Sequence, residues 1–314
     1  MINVTNLTKY YGDFMAVNNI SFEIREGEIT GLLGPNGAGK TTTLRMLTCY
    51  LQPSNGSISI NNIDTSVDPL AVRELIGYLP ESAPIYSDMV VFDYLSYIAE
   101  LRGIENSESR ISEMADLCGI REVMHKTVNE LSKGYKQRVG LAHAMIHDPK
   151  ILILDEPTSG LDPNQIIEIR KLIKEIGRHK TVILSTHILS EAEATCDRVI
   201  IINKGSIAAD DRTANLQSLG GKKSRVAVKI SGAAYAALEE ALRSINGVSS
   251  VEQDAGDDNL TGAFVTVADG VEVRPSIFEI VKEKGWSLYE MHLEQQSLEN
   301  VFRQLTIGGG NNEA

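Results

Sequence analysis

The stretch Gly34 to Thr42, "GPNGAGKTT", decides the fold. Its glycines let a loop turn successive backbone N–H groups toward one point, and the spacing G-x-x-x-x-G-K-[ST] places Lys40 and the Thr41 hydroxyl directly behind them. The apolar run "ITGLL" (29–33) comes before it and "TTTLRMLTCYL" (41–51) after it. The loop therefore joins a buried strand to a helix N-terminus, where backbone donors and the helix dipole favour negative charge. This predicts a nucleotide phosphate site formed by Gly34, Pro35, Asn36, Gly37, Ala38, Gly39, Lys40, Thr41 and Thr42. Lys40 would reach the β- and γ-phosphates, and the Thr41 hydroxyl would bind Mg²⁺.

Working outward, "ILILDEP", "TVILST" and "RVIIINKG" are further short runs rich in Ile, Leu and Val. Runs of this kind fit parallel strands covered on both faces, with helical segments between them. The fold class expected is α/β, a P-loop NTPase with a mostly parallel sheet. The first thirty residues alternate strand-like pieces with turns and suggest a small antiparallel layer. Residues 87–147 have helical periodicity and read as an insertion standing off the sheet. The cassette unit is assigned to 1–215, and "SIAADDRTANLQSLGGKKS" looks like a linker, placed at 216–222. From 223 to 306 the pattern restarts as β-α-β-β-α-β, the split arrangement of an α+β ferredoxin-like accessory domain. It closes on a helix carrying Leu298, Val301, Phe302 and Leu305, with Ser297 as its cap, before a polar tail over 307–314 that reads as disordered.

Two further stretches carry chemistry. In "ILILDEP" Asp155 ends an apolar strand, where a carboxylate is costly unless it meets a cation or a water bound to one. Glu156 follows at the strand end, placed to orient or deprotonate an attacking water. In "LSKGYKQRV" (131–139) Ser132 and Gly134 open a helix whose N-terminus can bind a phosphate. The glycine-rich loop already serves the phosphates in its own chain, so this second helix end makes sense if it serves another subunit's nucleotide.

Composition narrows the class. Among 314 residues, 42 acidic against 30 basic side chains give a net charge of −12, which disfavours non-specific binding to nucleic acid. No run approaches the ~18 apolar residues of a membrane span, and Met1 leads straight into "INVTNLTKYYG", so a cytoplasmic protein is expected. Cys49, Cys118 and Cys196 are far apart and read as small apolar packers. The six histidines have no metal-ligand spacing.

Together "GPNGAGKTT", "LSKGYKQRV", "ILILDEPTSGLD" and "STH" resemble the nucleotide-binding subunit of an ATP-binding cassette transporter. The resemblance implies an ATPase that uses ATP and Mg²⁺ and works as a head-to-tail homodimer, or as a heterodimer with a paralogous cassette. It implies a separate integral membrane permease as partner. Tyr11 resembles the aromatic that stacks on adenine, with Tyr10 an adjacent alternative. "SGLD", ending at Asp162, resembles the loop that crosses the dimer interface, and His187 resembles the switch histidine at the γ-phosphate. Glu81, in "GYLPESAPIY", takes the place where the family usually has a Mg²⁺-binding glutamine. The signature departs from "LSGGQ" at Lys133 and Tyr135, and it resembles the branch serving export-type bacterial permeases for drugs, polysaccharides or gliding motility. The alternative class is a soluble cassette ATPase acting on ribosomes or DNA repair complexes. That class usually has two cassettes or a long coiled-coil insertion, neither of which is visible here.

Overall fold

The computed structural model describes residues 2–215, 224–254, 260–268 and 271–294. The expected linker, the closing helix with its Ser297 cap, and the polar tail lie outside the described residues. The chain divides near Thr213 into two compact units.

The first unit opens with a hairpin of β1 (Ile2–Tyr11) and β2 (Phe14–Ile24). Later in the chain β4 (Asn55–Ile60) and β5 (Ile63–Asp64) join it, giving the antiparallel order β2-β1-β4-β5. The expected antiparallel layer is therefore present, and it is wider than the first thirty residues indicate. The central sheet holds β3 (Ile29–Leu33), β6 (Ile76–Leu79), β7 (Ile151–Asp155), β8 (Thr181–Thr186), β9 (Arg198–Asn203) and β10 (Ser206–Arg212). Its order is β10-β9-β3-β8-β7-β6, parallel except for the β9/β10 pair. β3, β7 and β8 are buried along their whole length, as two-sided coverage of a parallel sheet requires.

Helices α1 (Lys40–Leu47), α2 (Pro69–Leu75), α6 (Pro163–Gly177) and α7 (Leu189–Thr195) lie between these strands. α6 shows why such a segment is helical. Asp162 caps it by accepting from Asn164 and Gln165 N–H, Pro163 pre-sets its first turn, and Ile169, Leu172, Ile173 and Ile176 form one buried stripe. The expected helical insertion contains α3 (Val91–Leu101), α4 (Ser107–Leu117) and α5 (Lys133–Met145), with two short 3₁₀ turns between α4 and α5. Val91, Tyr94, Leu95 and Ile98 give α3 its buried face. Among the described residues no helix is long and apolar enough to cross a membrane.

The stretch from Ser206, read as linker, begins instead as an edge strand. Lys204 and Gly205 both take positive φ, 48° and 78°. That is the two-residue turn whose twist matches a hairpin, and it folds β10 back along β9. With one large apolar residue, Ile207, β10 has almost no periodic signal of its own. Cys118 and Cys196 are buried as expected of packers. Burial pushes the Cys118 thiol up to about 12 and that of Cys196 higher still.

The second unit runs β11 (Ser224–Ser231), α8 (Tyr235–Arg243), β12 (Val248–Asp254), β13 (Thr261–Val267), α9 (Arg274–Glu283) and β14 (Ser287–Glu294). Its sheet order is β12-β13-β11-β14, with every neighbouring pair antiparallel. This is the split β-α-β-β-α-β arrangement. Leu238 and Leu242 of α8 and Ile277 and Val281 of α9 pack on Val226, Val228, Ile230 and Val265, which gives the unit its own hydrophobic core.

Trp286, the sole tryptophan, packs against that core and reports on it by fluorescence. Leu238→Ala removes a fully buried side chain and is expected to cost roughly 2–5 kcal/mol in Trp286-monitored urea unfolding, with ATP affinity unchanged. An equal loss of ATP affinity would show that the two units are not energetically independent.

Candidate functional site

The sheet order sets β3, β8 and β7 side by side, so the loops leaving their C-terminal ends converge. Gly34 leaves β3 so close to β9 that a Cβ there would stand 2.2 Å from the Ile202 carbonyl oxygen. Gly39 combines a φ of +108° with a Cβ position 2.5 Å from the Ala16 carbonyl oxygen, which no side chain can accept. The loop between them ends in α1, whose first residue is Lys40.

Lys40 is 5% exposed. Its Nζ donates to the Gly34 and Pro35 carbonyl oxygens at 2.8 and 3.3 Å and lies 3.4 Å from Glu156 Oε1. Asp155, at the end of β7, is also buried. One of its oxygens, Oδ1, accepts from the Thr41 hydroxyl at 3.1 Å and from the Ser185 hydroxyl at 2.6 Å. Ser185 Oγ in turn accepts the Glu156 N–H at 2.9 Å. Glu156 Oε2 meets His187 Nδ1 at 2.8 Å. A carboxylate can only accept, so Nδ1 donates and the ring's Nε2 is left available. Glu156 itself has a φ of +48°, the left-handed region that a non-glycine residue enters at a cost.

Lys40, Thr41, Glu156 and His187 open on a cleft of about 470 Å³. Tyr11, Asn36, Gly37, Ala38, Gly39, Lys40, Thr41, Thr42, Glu81, Glu156 and His187 line it, together with Phe14, Ala16 and Ser159. Tyr11 is on the wall and Tyr10 is not. The expectation missed Phe14 and Ser185. Nothing local marks Phe14 except that it follows the turn after Tyr11, whereas Ser185 stands inside the "STH" stretch and gave a usable signal.

Six expected residues lie off this wall: Gly34, Pro35 and Asp155, which bond to Lys40 and Thr41 from behind it, and Ser132, Gly134 and Asp162. Ser132 caps α5, its oxygen accepting the Tyr135 N–H at 3.4 Å, and Gly134 is buried against the Gln165 side chain. Asp162 is engaged as the cap of α6. The Thr41 and Asp155 oxygens, with Glu81 on the same cleft, are hard donors of the kind Mg²⁺ takes beside substrate phosphates, so the residues present fit that ion.

Residues 17–159 match the family model described as ABC transporter. The chain is 39% identical to the ABC transporter ATP-binding protein NatA of Bacillus subtilis over 215 residues, which cover 66% of this chain and 87% of that protein. It is 32% identical over 312 residues to the bacitracin transport ATP-binding protein BcrA of Bacillus licheniformis, which covers 99% of this chain and 98% of that one. Among solved structures, CbiO1 of Clostridium perfringens, part of an ABC transporter complex, superposes with a TM-score of 0.63 at 30% identity over 68% of this chain and 89% of its own. MJ0796, a bacterial ABC transporter cassette solved as a dimer, gives 0.63 at 26% identity over 68% and 99%. Matched in sequence over nearly its whole length and in fold over 68% of it, the chain belongs to the ABC transporter family as an ATP-binding, ATP-hydrolysing subunit.

Proposed function

We propose that two copies of this chain, or this chain and a paralogous cassette, close head to tail on two ATP molecules and thereby drive a separate integral membrane permease. The observation that carries the reading is the division of the expected phosphate contacts. One cleft gathers the glycine-rich loop, Glu156, His187 and Glu81, while Ser132 and Gly134 at the start of α5 lie off its wall. A helix N-terminus of that kind suits a second molecule's nucleotide, with Asp162 on the loop that crosses between the copies. The match to a bacitracin transport ATP-binding protein spans both units and favours export. The cassette would then sit in the cytoplasm, peripheral on the inner face of the cell membrane, with the permease selecting the cargo. No nucleic acid partner is proposed.

In the reaction Tyr11 stacks on adenine, and Phe14 offers a second aromatic surface on the same wall. Backbone N–H groups of Asn36 to Thr42 hold the phosphates, and Lys40 transfers its donors from the Gly34 and Pro35 carbonyls to the β- and γ-oxygens. Thr41, Asp155 and Glu81 would hold Mg²⁺, which would supply neutralising charge to those phosphates. Glu156 orients a water and takes its proton as the water oxygen bonds to the γ-phosphorus and the bond to the ADP oxygen breaks. His187, with Nδ1 committed to Glu156, has Nε2 free for the γ-phosphate.

Glu156→Gln is expected to bind Mg-ATP, hydrolyse it at least about 100-fold more slowly, and run as a dimer in gel filtration. A variant that stays monomeric at saturating ATP would refute the closed-dimer reading. Glu81 is tested by titrating MgCl₂ at fixed ATP. Glu81→Gln should keep its half-maximal Mg²⁺ concentration within about twofold, and Glu81→Ala should need about tenfold more. Identical titrations for the alanine variant and the parent would make Glu81 an ordinary surface charge.

A further inference from the structure

A third buried carboxylate, besides Asp155 and Glu156, has no part in the reaction above. Glu191, in the first turn of α7, is 5% exposed. Its Oε2 accepts from the Thr158 hydroxyl at 2.6 Å and from the Thr186 hydroxyl at 3.0 Å. Its Oε1 is buried without a hydrogen-bond partner among the described residues. Thr158 and Thr186 are themselves buried. The Thr186 oxygen also accepts the Ile188 N–H at 3.0 Å, so its proton is directed at the carboxylate.

The positions of the two threonines give this arrangement its meaning. Thr158 stands two residues after Glu156, on the loop leaving β7, and Thr186 stands one residue before His187, at the end of β8. A single oxygen therefore clasps the two loops whose tips meet in the Glu156–His187 hydrogen bond. That bond needs support, because Glu156 sits in a strained backbone conformation and the His187 side chain is 43% exposed. A buried carboxylate half-satisfied by two hydroxyls is an expensive way to fill space, and an apolar side chain would pack there at lower cost. What the carboxylate adds is two charge-assisted hydrogen bonds of fixed direction, shorter and stronger than neutral ones.

We infer that Glu191 is a positioning residue, which sets the spacing of Glu156 and His187 by tying Thr158 to Thr186. The inference rests on the catalytic roles proposed above for that pair. The hydrogen-bond partners of Glu191, Thr158 and Thr186, do not line the cleft, so its loss acts on the chemical step and leaves nucleotide binding alone.

The test uses the full chain with Glu191→Ala, Glu191→Gln and the near-isosteric Thr158→Val and Thr186→Val, which retain the carboxylate if the alanine variant folds poorly. Glu191→Ala and Thr158→Val are expected to lower kcat about 10- to 100-fold, the size of effect an ångström of misplacement produces, with the dissociation constant of a fluorescent ATP analogue within about twofold. Glu191→Gln keeps an oxygen that can accept both hydroxyls and should recover most of kcat. Nitrogen-15 spectra of the His187 ring supply a readout that general destabilisation does not move. The parent should show the tautomer protonated at Nδ1, and Glu191→Ala should show the Nδ1/Nε2 mixture of a released ring. Parent-like kcat in all four variants would overturn the inference, as would a fall in kcat with an unchanged His187 spectrum or with a parallel loss of ATP affinity. If His187→Ala and Glu156→Gln are themselves fully active, the catalytic assignment fails instead, and that result is distinguishable from a failure at Glu191 alone.

Discussion

Lys40 and Glu156 face each other at 3.4 Å with less than a tenth of either side chain exposed, and most of the cassette can be understood as the means of keeping them there. Charges taken this far out of water are tolerated only with close partners. The partners come from separate parts of the chain: the Gly34 and Pro35 carbonyls after β3 for the ammonium, His187 after β8 for the carboxylate, and Thr41 and Ser185 for the neighbouring Asp155. They can converge only if β3, β8 and β7 are adjacent and parallel, so that all three chains end at the same edge of the sheet. The continuous burial of those strands is the same requirement expressed in apolar side chains.

The site was legible in the sequence where its parts are local. A loop with glycine where a backbone oxygen approaches to 2.2 Å, followed by Lys40 and Thr41, is written in consecutive residues, and so is Asp155 at the end of an apolar run. The contacts that organise the site are not written that way. Ser185 lies thirty positions from the carboxylate it serves, and Glu191 lies thirty-three from Thr158. Only tertiary structure brings such pairs together. β10 escaped because its pairing is dictated by the Lys204-Gly205 turn and not by its own side chains. The short helix α2 does carry a local sign, an Asp68 cap followed by Pro69.

The second unit was readable for the opposite reason. Val226, Val228 and Ile230 alternate along β11, Val265 and Val267 along β13, and its helices carry clear stripes, so periodicity yields β-α-β-β-α-β. Among the described residues its core of Val226, Val228, Leu238, Ile277 and their neighbours is apolar, in contrast to the buried charges of the first unit. The chain thus combines a unit whose interior is arranged around polar obligations with one held together by apolar packing.

The left-handed backbone at Glu156 puts selection for stability and selection for turnover in opposition at one position. Glycine or asparagine would relax the φ of +48° and remove the strain, yet neither has a carboxylate to offer. With Glu156 as the proposed base, a library of this chain sorted only for thermal resistance would enrich inactive members at residue 156. In the role proposed for it, the glutamate marks the one place on this cleft wall where durability and rate of work ask for different residues.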